Sequence, residues 1–473
     1  MSEVFNSLRT GAVALDVLAT DHAAPAELAA RQRQRLTALL EVAARDSPLY
    51  RQRLRGIAPA KVALDALPVV TRSELVQHFD QWVCDPQLRR SELRAFTADP
   101  RRIAEPYLGK YMVWESSGTS GQSAIFVQDA QAMAVYDALE ALRRSAPQPL
   151  QRWMDPLYMR DRIAFVGATT GHFASFVSIQ RLRRLNPWAA QAMRCYSILQ
   201  STASLVEALN AYAPTIISTY PTVAALLADE AARGALKHRP SEVWTGGETL
   251  TPGVRRWVEK SLNCAVRNSY GASEFLSIGW ECSQGHLHAN TDWLILEPVD
   301  AQKRAVPPGQ PSHSTLLTNL ANTVQPLIRY DLGDQITLHR QRCACGSPLP
   351  VIEVAGRQDD PLTMLGRDGR AVMLLPLALT TALEDQAAVF EFQLRQRDGH
   401  TLELRVPQAG AEGEAALARC RNVLRGFAQQ QGLGPIRLIE KAGAMLPRGR
   451  SGKVQRVVAR ATAPARKTTA RAG

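Results

Sequence analysis

Trp114-Glu-Ser-Ser-Gly-Thr-Ser-Gly-Gln-Ser123 follows a strand-like run at Tyr111 to Trp114. Its glycines, Gly118 and Gly121, let a backbone come close to a ligand. The hydroxyls of Ser116, Ser117, Thr119 and Ser120 can donate to phosphate oxygens. A strand running into a Ser/Gly-rich loop is the form expected of a phosphate-binding loop. No Gly-Lys-Ser/Thr follows, which excludes a Walker A sequence. Taken alone, the stretch reads equally well as a flexible turn.

The surrounding chain sets that loop in a helix–strand alternation. Leu28, Leu36, Leu39, Leu40 and Ala43 recur at helical spacing from Pro25 to Arg45, and Ser47-Pro48 ends the helix. Beyond the loop, Arg162 to Gly167 reads as a buried strand, Ala203 to Ala211 as a helix and Thr215 to Thr219 as a strand. Pro221 to Arg233 follows as a helix and Glu242 to Trp244 as a short strand. Such alternation implies a largely parallel sheet covered on both faces. From Trp293 the pattern changes to short strands broken by Pro, Gly and Asn, which predicts a β-rich subdomain. Mixed α/β character resumes after Gly356, with strands at Val389 to Leu394 and Leu402 to Val406 and a helix from Glu412 to Gln430. The expected organisation is therefore an α/β domain over residues 1–356, a smaller α+β domain over 357–461 and a disordered basic tail over 462–473.

A chain of 473 residues exceeds one ordinary core, and 45% hydrophobic with 21% charged residues places it among folded globular proteins. No basic start, apolar run and small-residue cleavage site opens the chain, and no apolar run of about 18 residues occurs. A cytoplasmic protein without a membrane span is expected. The formal charge of +12 is dispersed, with no basic stripe interleaved with aromatics, so nucleic acid is not an expected partner. Attraction to ATP, coenzyme A or an acidic carrier protein accounts for the charge as well as plain solubility does. Seven cysteines in a cytosolic chain argue against a disulfide framework.

Three further clusters carry polar chemistry. Trp244-Thr-Gly-Gly-Glu-Thr249 lies at the end of a predicted strand. In Asn268-Ser-Tyr-Gly-Ala-Ser-Glu-Phe275, Tyr270 offers a flat face for a base, Gly271 close approach and Glu274 a carboxylate for Mg²⁺. In Arg329-Tyr-Asp-Leu-Gly-Asp334, Asp331 can accept hydrogen bonds from a ribose diol. Each alone is also a turn between strands.

In order, Ser-Ser-Gly-Thr-Ser-Gly, Tyr-Gly-Ala-Ser-Glu, Tyr-Asp-Leu-Gly-Asp, Gly356-Arg357-Gln-Asp359-Asp360 and Pro447-Arg-Gly-Arg-Ser-Gly-Lys453 resemble the adenylate-forming superfamily. The closer resemblance is to the phenylacetate-CoA ligase-like branch, which also includes coenzyme F390 synthetases and capsule-associated proteins. Ser47-Pro-Leu-Tyr-Arg51, Leu67-Pro-Val-Val-Thr71 and Pro221 after a Tyr carry that closer likeness.

The resemblance implies an adenylate-forming fold: a large α/β N-terminal domain with a β-rich subdomain, and a small mobile α+β C-terminal domain. It implies that Ser116, Ser117, Gly118, Thr119, Ser120 and Gly121 hold the β- and γ-phosphates of ATP. Gly246, Gly247, Glu248 and Tyr270 would border the adenine, beside Gly271. Glu274 would bind Mg²⁺, and Asp331 the ribose, with Arg357 nearby. Asp359 would be the hinge, and Lys453 would contact both the carboxylate and the α-phosphate, where developing charge needs a cation. Gly171, His172 and Phe173 would lie beside an acid substrate, with His172 a catalytic candidate that could orient the carboxylate and Phe173 stacking on an aryl ring; a core histidine is the equal alternative for His172.

The expected activity is ATP-dependent conversion of a carboxylic acid, aromatic by resemblance, to an acyl-adenylate. Transfer to coenzyme A or a carrier-protein phosphopantetheine would follow, in a monomer or homodimer. A nucleotidyl transferase of the F390-synthetase type, an amide-forming ligase and a non-catalytic nucleotide-binding protein are the rival readings. After the hinge, Pro361 to Pro376 departs from the Gly-x-Asn-x-Phe-Pro-like segment usual in the family, so the thiol step is the less supported of the two.

Cys282-Ser-Gln-Gly-His286-Leu-His288 and the later Cys343-Ala-Cys345 offer three thiols and an imidazole, the donor set of a closed structural zinc site. The family resemblance matches His288, with His286 the alternative.

Overall fold

A computed structural model describes residues 6–116, 124–144, 161–355, 362–389, 391–447 and 455–459. The chain divides into two compact units at 357–358.

In the first unit the Pro25–Asp46 helix stops at Ser47, whose backbone is extended (φ −92°, ψ 117°) ahead of Pro48. The same serine caps the next helix, Pro48–Arg53, by accepting from the Tyr50 amide at 3.4 Å. Both events follow from proline, which pushes its predecessor out of the helical region and is itself suited to a first helical turn. An additional helix, Ser7–Thr20, precedes them and packs against helix Ala130–Leu142.

Fourteen strands of this unit are described. They are β1 (Met112–Glu115), β2 (Ile125–Gln128), β3 (Ile163–Gly167), β4 (Met193–Ser197), β5 (Ile216–Thr219), β6 (Glu242–Thr245) and β7 (Ala265–Ala272). The remainder are β8 (Phe275–Glu281), β9 (Leu287–Ala289), β10 (Leu294–Val299), β11 (Ser314–Asn319), β12 (Tyr330–Asp331), β13 (Gln335–His339) and β14 (Val351–Ala355). Nine of them form one sheet in the order β13-β14-β9-β8-β7-β6-β5-β3-β4. From β4 to β7 it is parallel, and from β7 to β13 antiparallel. The change to antiparallel pairing comes at the β7–β8 hairpin, about twenty residues before the shift in character legible at Trp293. Tyr270-Gly-Ala-Ser-Glu274 lies within that hairpin, and a register shift falls between Tyr270 and Ala272. Gly271 is required there: a Cβ would stand 2.0 Å from the carbonyl oxygen of Leu276. β10, β11 and β12 make a separate antiparallel sheet, and β1 pairs with β2 across the Ser/Gly-rich stretch.

The second unit has a four-stranded sheet in the order β19-β18-β17-β20. Its strands are β17 (Gln393–Gln396), β18 (Thr401–Arg405), β19 (Arg437–Lys441) and β20 (Val457–Val458). A hairpin of β15 (Leu362–Leu365) and β16 (Ala371–Leu374) precedes it. Helices Pro376–Ala387 and Gly410–Gln430 pack on each other. The strand expected from Val389 begins only at Gln393, and the preceding helix ends at Ala388 in the left-handed region. Among the described residues, no helix is long and apolar enough to cross a membrane.

Within the first unit an ion network ties the N-terminal helices to the β9–β10 turn. The Arg143 side chain, fully buried, donates to both oxygens of the equally buried Asp292 at 2.7 Å, to Asn290 at 2.8 Å and to Asp21 at 3.2 Å. Arg35 donates to the Asp292 carbonyl at 2.6 Å and Gln32 to that of Thr291 at 2.7 Å. Two charges this deep are held in place by each other, so removing one strands the other. Asp292→Ala is expected to lower the unfolding free energy by about 3–5 kcal/mol. Chemical denaturation checks this, and a change below about 1 kcal/mol would contradict the role given to the pair.

Candidate functional site

Parallel strands deliver their following loops to one end of a sheet. Here β3, β5 and β6 run into Ala168, Tyr220 and Gly246, and hydrogen bonds join these turns. The Ala168 amide donates to the Tyr220 hydroxyl at 3.5 Å. The amide and hydroxyl of Thr222 each donate to the Glu248 carboxylate at 3.1 Å, fixing it over the start of helix Pro221–Ala232. Gly247 has φ +77°, and a Cβ there would come within 3.2 Å of the Tyr220 ring. At Gly246 a Cβ would come within 2.9 Å of the Ser269 hydroxyl. Glycine at both positions therefore serves close packing of the turns against each other.

Glu274, 8% exposed, is the centre of the next layer. Its carboxylate accepts from the Tyr330 hydroxyl at 2.8 Å. Its carbonyl accepts from the Asn319 side chain at 3.0 Å, and the neighbouring Ser273 carbonyl accepts from the Trp114 indole at 2.8 Å. Burial pushes the Glu274 carboxyl above its ordinary range, while Tyr330 and the nearby positive charge of Arg72 oppose that rise. The Tyr270 hydroxyl donates to Asp334 at 2.8 Å, and burial with that carboxylate raises the phenol well above its usual value. The ring of Tyr270 is thereby anchored at its edge.

Arg72 was not among the candidates read from sequence. The run Leu67-Pro-Val-Val-Thr71 lies beside β12. The Val70 amide donates to the Arg329 carbonyl at 3.1 Å, and the Asp331 amide to that of Val70 at 2.9 Å. Thr71 then caps helix Arg72–Gln77, which points Arg72 inward to donate to the Ser116 hydroxyl at 2.6 Å. Ser116 also closes the base of the Ser/Gly loop, its amide donating to the Ala124 carbonyl at 3.0 Å. One cation thus touches the loop base and lies in the field of Glu274. Its only sequence signal is an arginine directly after the Leu67–Thr71 run.

Asp331 accepts from Ser314 at one oxygen and from Lys303 at the other. Two residues upstream, Arg329 pairs with Glu297 at 3.0 Å and donates to the Asp65 and Leu67 carbonyls, holding the approach to β12.

His172 is 1% exposed, and its ring lies 5.6 Å from that of Phe96. Neither ring nitrogen has a hydrogen bond of normal geometry. Burial lowers its pKa, against the backbone of Arg102 and Thr97. Its carbonyl accepts from the Glu115 amide at 2.7 Å, and Phe173 bridges to the same residue. A Cβ on Gly171 would sit 3.2 Å from the Phe173 ring.

The cysteine cluster assembles at the far side of the antiparallel strands. The ligand atoms of Cys282, His288, Cys343 and Cys345 all lie within 4.8 Å of one another. Cys282 Sγ is 3.8 Å from Cys343 Sγ, and His288 Nε2 is 3.4 Å from Cys345 Sγ. His288 is buried, and its Nδ1 donates to the Leu349 carbonyl at 2.8 Å, which leaves Nε2 turned towards the thiols. His286 is exposed and approaches Cys343 at 3.3 Å from outside the group of four.

Residues 184–313 match the family model described as AMP-binding enzyme. Protein CapK of Staphylococcus aureus is 28% identical over 138 residues, which is 29% of this chain; the chain spans only 29% of CapK's length. A structure of 2-hydroxyisobutyryl-CoA ligase with 2-HIB-AMP and CoA, in the thioesterification state, superposes with a TM-score of 0.58 at 20% identity, covering 93% of this chain and 91% of the ligase. The same ligase in a postadenylation state gives 0.55 at 21% identity, with the same coverage of 93% and 91%.

The fold is that of the adenylate-forming enzymes.

Of the adenylate-site candidates, Ser116, Gly246, Gly247, Glu248, Tyr270, Gly271, Glu274 and Asp331 are described, and all lie in the first unit. Arg72 and Tyr330 join Ser116 to Glu274. Ser117, Gly118, Thr119, Ser120, Gly121, Arg357, Asp359 and Lys453 lie outside the described residues.

Proposed function

We propose that this chain activates a carboxylic acid with ATP and passes the resulting acyl group to the thiol of coenzyme A. The observation that carries the reading is the buried Glu274 carboxylate, held by Tyr330 and faced by Arg72, where the Tyr-Gly-Ala-Ser-Glu, Tyr-Asp-Leu-Gly-Asp and Ser/Gly motifs meet. A buried carboxylate that faces phosphates is a site where a bound cation would offset the charge. Glu274 fits Mg²⁺, which when bound neutralises phosphate charge. The 2-hydroxyisobutyryl-CoA ligase, named with both an acyl-AMP and CoA, supports coenzyme A over a carrier-protein phosphopantetheine as acceptor.

In the first step an oxygen of the acid attacks the α-phosphorus of ATP. An oxygen–phosphorus bond forms, the bond to the β-phosphate breaks, and pyrophosphate leaves. Ser116 to Gly121 hold the β- and γ-phosphates, with Arg72 fixing Ser116 at the base of the loop. Tyr270, Gly246, Gly247 and Glu248 border the adenine, with Gly271 shaping the hairpin that carries Tyr270. Asp331 takes the ribose diol, with Arg357 near it. Lys453 meets the charge developing at the α-phosphate. In the second step a thiolate attacks the acyl carbon and AMP leaves. Lys453 has to withdraw before the pantetheine arm can enter, and Asp359 is the hinge for that movement. Gly171 and Phe173 border the acid, for which an aromatic compound is the class the branch resemblance favours. The buried His172 supports that wall from behind.

The four ligand atoms of Cys282, His288, Cys343 and Cys345 form a structural zinc site in the same reading. With zinc–sulfur bonds of about 2.3 Å, tetrahedral geometry sets sulfurs about 3.8 Å apart, which the Cys282–Cys343 distance matches.

Acid-dependent exchange of pyrophosphate into ATP, over a panel of acids with and without coenzyme A, tests the activity. Lys453→Ala is expected to reduce exchange on the order of a hundredfold, the loss seen for one strong electrostatic stabiliser. Thioester formation from supplied acyl-adenylate should fall far less. Near-normal exchange in the variant would refute the role of Lys453.

Elemental analysis is expected to find about one zinc per chain, retained through desalting. Cys343→Ser should lower both the metal content and the melting temperature. A metal-free wild-type protein would remove the zinc site.

A further inference from the structure

Between Asp161 and Glu207 the chain has no Asp, Glu or Lys, and it has five arginines: Arg162, Arg181, Arg183, Arg184 and Arg194. The stretch builds β3, helix Ala174–Leu185, the short helix Pro187–Ala192 and β4. Arg181 has a structural use. It is buried and donates to the two oxygens of Asp137 at 2.9 and 2.8 Å, which pins helix Ala174–Leu185 to helix Ala130–Leu142. Among the described residues, it is the one arginine of the five held in an ion pair. Glu105 lies in the field of Arg184 but is paired with Arg102 at 2.9 Å.

With Arg181 fixing the inner side of its helix, Leu182 and Leu185 stand outside at 37% and 39% exposure. The chain then turns at Asn186, whose backbone is extended and whose side chain accepts from the Trp188 amide at 2.9 Å. That turn leaves Trp188 at 64% exposure. None of the three side chains belongs to the hydrophobic core. Arg183 and Arg184 lie between the two leucines in sequence. Arg194, near the start of β4, is exposed, with its guanidinium 4.4 Å from the centre of the Tyr212 ring.

The patch sits where the parallel strands begin. Helix Pro187–Ala192 leads directly into β4, the edge strand, and Met193 pairs there with Ile163 at the start of β3. The turns that carry Ala168, Tyr220 and Gly246 follow the other ends of their strands. A partner docked at Trp188 therefore leaves those turns open.

Tryptophan and leucine beside arginine make a surface suited to the headgroup layer of a bilayer. The apolar side chains reach the acyl boundary, the indole sits at headgroup level, and guanidinium groups match phosphates with two hydrogen bonds each. The 45 residues without a carboxylate remove the repulsion that an anionic surface would otherwise meet. An acidic protein would match the arginines but gives no reason for an exposed indole and two exposed leucines.

We propose that the end of helix Ala174–Leu185 and helix Pro187–Ala192 form a peripheral docking surface for an anionic lipid bilayer. Leu182, Leu185 and Trp188 enter the headgroup layer, and Arg183, Arg184 and Arg194 meet lipid phosphates. The association is reversible, and it is independent of the reaction proposed above.

The test is co-sedimentation of the full-length protein with vesicles of equal parts phosphatidylglycerol and phosphatidylcholine, with pure phosphatidylcholine vesicles as reference and melting temperatures alongside. Wild type is expected to sediment with the anionic vesicles and to be released by salt. Arg183→Gln and Arg184→Gln should each weaken partition about fivefold, and Trp188→Ala by roughly tenfold. Arg184→Lys should retain most of the binding. Arg370→Gln removes the same charge from a side chain 87% exposed in the second unit and should leave partition unchanged. The melting temperatures of all these variants should stay with wild type; if Trp188→Ala does not fold, the two arginine variants carry the test. No binding of wild type to anionic vesicles overturns the proposal, as does equal binding to neutral ones. Unchanged partition in the arginine variants, or equal weakening by Arg370→Gln, overturns it too, the latter by assigning the binding to net charge. Binding to soluble poly-glutamate but not to vesicles would make the partner an acidic protein and equally overturn it.

Discussion

A buried carboxylate governs this molecule. Leaving Glu274 charged and dry is costly unless polar partners surround it, and those partners come from segments spread along the first unit. Tyr330 supplies the hydroxyl and Arg72 the opposing charge. The backbone on either side is tied by Asn319 and Trp114. To meet this demand the Leu67–Thr71 run must lie beside β12, and β1 must reach the β7–β8 hairpin. Folding around Glu274 therefore also places Ser116, Tyr270 and Asp331. The arrangement does for stability what the proposed chemistry also requires: a fixed anionic group beside Ser116.

Much of this frame was legible because its signals are local. Ser47-Pro48 marks both a helix end and a helix start by steric rules that need no tertiary context. The buried strands at Ile163–Gly167 and Ile216–Thr219 stand out as apolar runs between amphipathic helices. The gathering of three thiols and an imidazole was readable because few other uses pair Cys282 and His288 with Cys343 and Cys345. Geometry then separates His288 from His286: only the buried ring has its second nitrogen pinned, by the Leu349 carbonyl.

What the sequence hid depends on pairing between distant segments. The β7–β8 hairpin carries a glycine read from sequence as close approach to a base; the sequence did not show that Gly271 also admits the Leu276 carbonyl of its own hairpin. Gly246 and Gly247 likewise accommodate Ser269 and Tyr220, so their packing role was invisible until the turns were placed together. Arg72 was missed because an isolated arginine carries no pattern. It acquires meaning from Ser116 and Glu274. The strand start at Gln393 was misjudged because a left-handed helix end at an alanine, Ala388, leaves no glycine to announce it.

The account's central claim is that the acid attacks the α-phosphorus of ATP. Isotope transfer tests this directly. An acid that supports turnover is labelled with ¹⁸O in its carboxylate and incubated with ATP, coenzyme A and the full-length protein, and the phosphorus products are analysed by mass spectrometry. The account predicts one labelled oxygen in AMP and none in pyrophosphate. Label appearing in inorganic phosphate, with ADP as the nucleotide product, would place the attack at the γ-phosphorus and contradict it.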